Sequence, residues 1–117
     1  MLNETIDALV AVHVMGWTLA PNGSMWYDGA EVPAMWRSVL LWNPTTRADH
    51  AKQMRDKMRA DGWTYQITGG IKPDGVNHFR AEFFILPCTL ETYFSAQSDT
   101  EEMAVALAAL AAKGVTC

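Results

Sequence analysis

The side chains that most often carry catalysis or hold metals are few in this sequence and stand far apart. Histidine occurs at three positions, His13, His50 and His78, and none has another metal-ligating side chain at the required spacing on its own predicted element. The two cysteines, Cys88 and Cys117, are too few and too poorly spaced for a disulfide framework or a zinc site. No serine occupies the strand-to-helix turn that exposes a catalytic nucleophile. We therefore predict a protein that is not an enzyme, with no catalytic residues, no bound metal and no cofactor.

A group of basic side chains lies on the helix that we predict over residues 46–61. Helical spacing places four of them on its exposed faces: Lys52, Arg55, Lys57 and Arg59. Aspartates are interleaved with them, and the pairs Asp49–Lys52 and Lys52–Asp56 have the spacing of helix ion pairs. Such a face is either solvated and paired with itself or a patch that binds phosphate or nucleic acid. The candidate binding residues on it are Lys52, Arg55 and Arg59.

An aromatic group with an arginine lies in the segment 20–38, which keeps neither a helical nor a strand period throughout. Its members are Trp26, Tyr27, Trp36 and Arg37. Aromatic rings beside an arginine can stack on a base and hold its phosphate, and the same residue types dominate protein–protein contacts. They also fill the cores of small domains. If the protein works by binding, we expect the contact surface in this segment. If its tryptophans are core, we expect that surface on the charged face of the 46–61 helix.

Length and composition predict one domain over residues 1–117. Half of the residues are hydrophobic and 19% are charged, which excludes a disordered chain. The net charge of −4 gives no electrostatic footprint for nucleic acid, so no direct nucleic-acid contact is expected. The N-terminus carries acids where a signal peptide carries Lys or Arg, and no apolar run approaches the roughly 18 residues of a membrane span. We expect a soluble protein in a reducing cytoplasm, without membrane contact.

The second helix has the clearest beginning and end in the chain. Thr46 is its expected N-cap, and Asp49 can complete a shortened capping box. Gly62 is expected to end it in the left-handed conformation, which glycine adopts at little steric cost. The residues from Trp63 onward alternate between apolar and polar side chains, so a strand begins at once.

Two further helices are predicted, over 3–15 and 99–113. His13 lies at the edge of the apolar face of the first helix. The last helix is rich in alanine, which lets it lie close to a sheet, and Ser98 or Asp99 is its expected cap. One core is expected to join this helix to the rest through five side chains: Met54, Met58, Phe83, Leu107 and Leu110.

The strands are short and separated by turns. A hairpin is predicted between 17–19 and 25–27, and further strands over 63–68, 77–86 and 92–96, with a turn at Gly69-Gly70. These connections favour antiparallel neighbours. The sequence therefore predicts an α+β fold: a single-domain sandwich in which a mainly antiparallel sheet of about four to five strands packs with three helices, approximately 3–15, 46–61 and 99–113.

Three segments together resemble a known family of small phage proteins, the phage ABA sandwich domain family. The first matches its valine-methionine-glycine-tryptophan helix end: Val14, Met15, Gly16 and Trp17. The second matches its proline-led helix that ends near glycine-tryptophan: Pro44, Thr45, Thr46, Gly62 and Trp63. The third is the alanine- and leucine-rich helix at 104–113. The resemblance implies an alpha/beta sandwich from a bacteriophage or prophage and brings no catalytic residues.

The resemblance also frames the functional hypotheses. Small accessory phage proteins often bind and block host defence machinery, including CRISPR complexes, or sequester nucleotide signals. The leading hypothesis is a non-enzymatic inhibitor of a host defence protein that acts in the host bacterial cytoplasm by protein–protein binding. The alternatives are a nucleotide-signal binder, with the protein possible as a homo-oligomer, and a virion or assembly accessory protein.

Overall fold

A computed structural model describes residues 3–20, 23–27, 36–38, 41–71, 75, 77–85 and 92–115. Its three α-helices are α1 (Asn3–Leu9), α2 (Ala48–Ala60) and α3 (Glu101–Ala112), and a π-helical segment, Val10–Val14, continues α1. Its six strands are β1 (Thr18–Leu19), β2 (Met25–Tyr27), β3 (Trp36–Ser38), β4 (Thr64–Ile71), β5 (Asn77–Phe84) and β6 (Tyr93–Ser98). They form two antiparallel three-stranded sheets, β1-β2-β3 and β4-β5-β6. The predicted α+β class with three helices is confirmed, although the strands divide between two sheets.

The larger sheet buries one face against the helices and leaves the other open. On the buried face, Tyr65 of β4 lies opposite Phe83 of β5, which lies opposite Phe94 of β6. Ala81 and Phe83 are fully buried there, as their alternation along β5 predicts. Helix α3 packs on β5 and β6, and α2 packs on β4.

Helix α3 lies at the centre of the molecule. It contacts the sheet as well as α2 and the π-helical segment, and its small side chains permit this close approach on more than one side. Met54, Met58, Phe83 and Leu110 are fully buried as predicted, whereas Leu107 is only partly buried against the same core. The N-cap is Thr100, one residue after Asp99 and two after Ser98, because β6 continues to Ser98 and the Thr100 hydroxyl accepts a hydrogen bond from Met103 N at 3.3 Å.

The first helix changes its winding halfway along. After Leu9 the backbone hydrogen bonds span five residues, as in Met15 N to Val10 O at 3.0 Å. The wider π turn keeps Val10 and Val14 inside and turns His13 out to solvent. The expectation that His13 borders the core is therefore wrong.

The entry to α2 is held by a turn rather than by a side-chain cap. The backbone N–H groups of Thr46 and Arg47 both donate to the Asn43 carbonyl, so Thr46 is not the N-cap. Arg47 takes that position, and its side chain caps none of the helix N–H groups. The buried carboxylate of Asp7 accepts from Thr45 N at 3.0 Å and ties this turn to α1. At the other end, Gly62 has φ 97° and ends the helix as predicted.

The predicted turn at Gly69-Gly70 lies inside β4. Gly69 pairs with Phe79 across the ladder, and a Cβ at Gly69 would lie 2.9 Å from the Phe79 ring. The glycine here gives the phenyl ring room beside the strand and does not reverse the chain.

The small sheet contains the predicted hairpin. Thr18 pairs with Tyr27 and Leu19 with Trp26, and a third strand, β3, pairs with β2. Behind it lies the tryptophan cluster, which we define as Trp17, Trp26 and Trp42. All three are buried, and the rings of Trp17 and Trp42 meet edge to face at 4.5 Å. This cluster belongs to the same core as the helices.

Candidate functional site

The structure separates the two predicted groups of binding residues. Trp26 is only 4% exposed, so the expectation that it anchors a partner at the surface is wrong. The reason is its place in the middle of β2, where alternation turns it inward between the half-buried Met25 and Tyr27. The backbones of Trp36 and Arg37 lie in β3, next to β2, and their side chains fall outside the described part of the chain.

The basic face of α2 is accessible and borders a groove. Lys52, Arg55, Asp56 and Arg59 follow one another at helical spacing and meet Tyr65, which β4 presents beside them. We call this surface, lined by Lys52, Arg55, Asp56, Arg59 and Tyr65, the α2 groove. It encloses about 440 Å³ of space that is partly open to solvent. The structure thus brings together all three basic residues that the sequence singles out and adds a tyrosine to them.

The charges of the α2 groove are unequally compensated. Lys52 Nζ lies 3.0 Å from Asp56 Oδ2, as predicted. Arg55 Nη1 lies 3.5 Å from Glu101 Oε1 of α3, a pairing that spacing along one helix does not reveal. The predicted Asp49–Lys52 pair is not formed, because Asp49 binds Arg47 at 3.1 Å.

Arg59 is the third cation of the α2 groove. It is exposed, and among the residues that the structure describes it has no acceptor or carboxylate partner. Its guanidinium charge is therefore available to an incoming group without the loss of an existing ion pair. Arginine in such a position can bind a carboxylate or a phosphate with two parallel hydrogen bonds.

Tyr65 forms the wall of the groove opposite the helix. The Arg55 guanidinium lies over its ring, 5.3 Å from the centroid, and the buried hydroxyl has no hydrogen-bond partner. Burial raises the pKa of the Tyr65 phenol above its usual value. The phenol is protonated at neutral pH, and its enclosed hydroxyl does not face the solvent.

A second polar cluster lies on the open face of the larger sheet. Arg80 Nη2 donates to the Tyr93 hydroxyl at 2.9 Å, and that hydroxyl donates to Glu82 Oε2 at 2.7 Å. Tyr93 thus joins Arg80 and Glu82, which share one face of β5. The cluster ties β5 to β6, and Arg80 Nε, which lies 3.8 Å from Glu82 Oε1, is buried without a hydrogen bond.

The remaining expectations concern a metal site, a membrane span and catalysis. No three His, Cys, Asp or Glu side chains in them lie close enough together to hold a metal ion. None of the helices they form is long and apolar enough to cross a membrane. The absence of a catalytic activity stays a prediction.

Comparison with known proteins places the chain in a family. The model of the phage ABA sandwich domain matches residues 8–110, which is most of the chain. The chain belongs to the phage ABA sandwich domain family. The resemblance inferred from the three sequence segments is thereby confirmed, together with its implication of a phage source. A search of curated proteins finds no significant match.

A solved structure shares the fold of this family member. The crystal structure of a phage protein from Bacillus cereus ATCC 14579 aligns with a TM-score of 0.71 over 100% of this chain and 92% of that chain. The two sequences are 15% identical, so the likeness concerns the fold alone.

Sequence reasoning missed Tyr65 and Glu101 as members of the site. The alternation of Trp63, Tyr65 and Ile67 correctly predicts their common face of β4. It does not reveal that α2 packs beside β4 with Arg55 over the Tyr65 ring, because that contact depends on how the helix packs. The one local signal was the spacing of Lys52, Arg55 and Arg59 on a single helix face.

Proposed function

We propose that this phage protein is a non-enzymatic binding protein that attaches to an acidic surface of a host protein through the α2 groove. The observation that carries the proposal is Arg59, an exposed arginine that has no carboxylate partner among the described residues and lines the α2 groove together with Tyr65. Arginine and tyrosine are enriched among the residues that dominate protein–protein binding energy. A carboxylate on the partner would pair with the Arg59 guanidinium.

A host defence protein is the partner that we propose. Small phage proteins that bind host factors commonly block defence systems, and a CRISPR effector complex is one such target. This choice rests on the phage family of the chain, whereas the acidic character of the contact rests on the groove. The protein would act in the host cytoplasm as an anti-defence, anti-CRISPR-type inhibitor.

Sequestration of a nucleotide is less well supported by the geometry. A base needs an open aromatic face for stacking. Trp26 is buried, and Arg55 already covers one face of the Tyr65 ring. The phosphate of a nucleotide could still reach Arg59, so the experiment must distinguish this ligand from a protein.

The test is a pull-down from host cytoplasm with the whole chain as bait, followed by mass spectrometry of proteins and small molecules. Arg59→Glu reverses the free charge, and Arg47→Glu is the matched control because Arg47 is an exposed arginine outside the groove. The proposal expects a defence protein that the wild type and Arg47→Glu retain and Arg59→Glu loses. A protein retained equally by all three baits would contradict it.

A nucleotide ligand would give a different experimental result. It should raise the melting temperature of the wild type by an amount set by its concentration over Kd, and Arg59→Glu should abolish that shift. Capture of a nucleotide with this behaviour, and of no protein, would replace the proposed partner by a small ligand.

A further inference from the structure

Arg55 is held beside the α2 groove by a carboxylate from another helix. Its Nη1 atom lies 3.5 Å from Oε1 of Glu101, which stands in the first turn of α3. This separation is longer than a typical hydrogen bond between nitrogen and oxygen. Both side chains are also partly exposed, Arg55 to 27% and Glu101 to 43%. Such a pair contributes little free energy, so another carboxylate can take the place of Glu101.

The Arg55 side chain borders two spaces. On one side it lines the α2 groove together with Tyr65. On the other side it lines a smaller cavity of about 260 Å³, which is bordered by Glu101 and Glu102. Glu101 belongs to this cavity and is absent from the described lining of the groove. The groove side of Arg55 is therefore open to an incoming group.

Tyr65 fixes the position of Arg55 in the groove. The guanidinium carbon lies 5.3 Å from the centroid of the Tyr65 ring, close enough for a cation–π attraction. A guanidinium has five N–H donors, and its contact with Glu101 is made through Nη1. Arg55 can thus keep its place over the ring while further donors bind a second carboxylate.

Arg55 and Arg59 offer two cationic groups at a defined spacing. They stand four residues apart on α2, and about 5–6 Å separates the Cβ atoms of residues at this spacing on a helix. Lys52 differs from them, because it is paired with Asp56 at 3.0 Å, closer than Arg55 is to Glu101. The groove therefore presents two arginines one helical turn apart, and neither is held by a close carboxylate among the described residues.

We propose that the α2 groove recognises a pair of carboxylates on its partner, one bound by Arg59 and the other exchanged for Glu101 on Arg55. Side chains two residues apart on an extended segment point to the same side and lie about 6–7 Å from each other. The partner would thus present two acidic residues, separated by one residue, in an extended segment. Glu101 determines the specificity, because a single carboxylate can bind Arg59 and leave the Arg55–Glu101 pair intact. This inference rests on the proposed function and names the chemistry that its site would recognise.

The first test is a titration of the full chain with two capped peptides, followed through the NMR signals of backbone amides and arginine Nε–H groups. Each peptide has two aspartates as its only charged residues, separated by one residue in the first peptide and by six in the second. We expect the closely spaced peptide to bind about two- to fivefold more tightly, the gain typical of one additional exposed ion pair. It should also shift the Arg55 Nε signal. Equal affinities, or no binding of either peptide, would overturn the proposal.

The second test measures the competition between Glu101 and the peptide for Arg55. Glu101→Gln should tighten binding of the closely spaced peptide by about two- to fivefold. Glu102→Gln is the matched control, since Glu102 stands in the same turn of α3 and borders the same cavity, but does not contact Arg55. Both variants lose one negative charge, so the difference between them reports the direct contact. Equal effects of the two variants, or weaker binding by Glu101→Gln, would overturn the proposed exchange.

A double-mutant cycle tests whether the effect passes through Arg55. In an Arg55→Gln background, Glu101→Gln should change the peptide affinity no more than Glu102→Gln does, because the contested guanidinium is absent. The melting temperature of each variant separates loss of folding from loss of binding. A gain in affinity as large as in the presence of Arg55 would contradict the exchange.

Arg59→Gln distinguishes failure of this inference from failure of the proposed function. Peptide binding that Arg59→Gln abolishes, but that Glu101→Gln and Glu102→Gln affect equally, would overturn the two-carboxylate mode and leave the α2 groove as the binding surface. Peptide binding that is unchanged in Arg59→Gln would overturn both, because the peptide would then bind elsewhere.

Discussion

The tryptophan cluster and the α2 groove use residue types that both occur in binding sites, yet they have opposite roles in this molecule. Trp17, Trp26 and Trp42 are all less than a tenth exposed and join the small sheet to the helical core. In the α2 groove, Lys52 and Arg59 are exposed and Arg55 and Tyr65 are half-buried. The first region contributes stability through buried apolar area, whereas the second holds unsatisfied charge and hydrogen-bonding capacity.

This difference shows that residue type alone does not identify a contact surface in a small domain. Large aromatic side chains supply much of the apolar area in a core as well as in an interface. What separates the two uses is whether neighbouring strands cover the residue. Trp26 lies in the central strand of its sheet, with a strand on either side, and its side chain is buried. Arg59 lies near the end of a helix whose outer face nothing described covers.

The largest effect should come from truncation of the tryptophan cluster. Trp26→Ala should lower the free energy of unfolding by about 3–5 kcal/mol, because it removes a fully packed ring and leaves a cavity. Leu19→Ala is the control on the same hairpin, since Leu19 pairs with Trp26 but is 46% exposed. Urea melts of both variants measure the difference. Equal and small losses would show that the cluster is not core.

A smaller contrast is expected within α3. Leu110 is fully buried, so Leu110→Ala should cost about 2–5 kcal/mol. Leu107 is only partly buried, in an open groove that it lines with Phe94 and Ala111, so Leu107→Ala should cost clearly less. Denaturant melts of both variants provide the comparison. A larger loss at Leu107 than at Leu110 would reverse the assignment of the two faces of α3.

Gly62→Ala should destabilise the protein by about 1 kcal/mol, since a Cβ is disfavoured at positive φ. The backbone of Gly62 has φ 97°, and no neighbouring atom would meet the added methyl group. Gly70→Ala is the control: it also has open space but no positive φ. Thermal melts of the two should therefore differ in size, and a loss at Gly70 equal to that at Gly62 would contradict the conformational explanation.

The smallest effect concerns Asp61, the carboxylate that directly follows α2. Hydrogen bonds from Lys57 and Lys113 hold the pKa of the Asp61 carboxyl below its ordinary value of 3.8. The folded state thus binds this proton more weakly than the unfolded state. The contribution is complete above pH 3.8 and is lost as the pH falls through the lower folded-state pKa.

Asp61→Asn should therefore destabilise the protein at neutral pH by less than about 1 kcal/mol, as is typical of partly exposed ion pairs. It should also reduce the acid dependence of stability below pH 4. Urea melts at neutral and acidic pH provide the measurement, with Asp56→Asn as the control on the exposed Lys52 pair. An acid dependence identical to that of the wild type would show that Asp61 is not the responsible carboxyl.

The sequence predicts those parts of the fold that local patterns determine. The end of α2 at Gly62, the hairpin of β1 and β2 and the alternation of β5 are visible in short stretches of residues. The start of α2 is not, because Asp7, far away in the chain, holds the turn before it. Gly69-Gly70 looks like a turn in the sequence, because the Phe79 ring that lies against Gly69 belongs to another strand.

The sequence likewise predicts only part of the candidate site. Spacing on one helix selected Lys52, Arg55 and Arg59, and the structure places all three in the α2 groove. Only packing reveals that Tyr65 and Glu101 join them and that Arg59 remains without a partner. The predicted hairpin likewise places Trp26 in a strand, but which face of that strand is covered depends on packing.

The most direct test of the central claim is the affinity of the isolated host partner for three forms of the protein, measured by titration calorimetry together with a melt of each form. The account predicts that Arg59→Ala weakens binding by about 2 kcal/mol, roughly thirtyfold, with an unchanged melting temperature. The control variant Arg47→Ala should bind like the wild type. Wild-type affinity in Arg59→Ala would contradict the account, because the α2 groove would then not be the surface through which the protein binds.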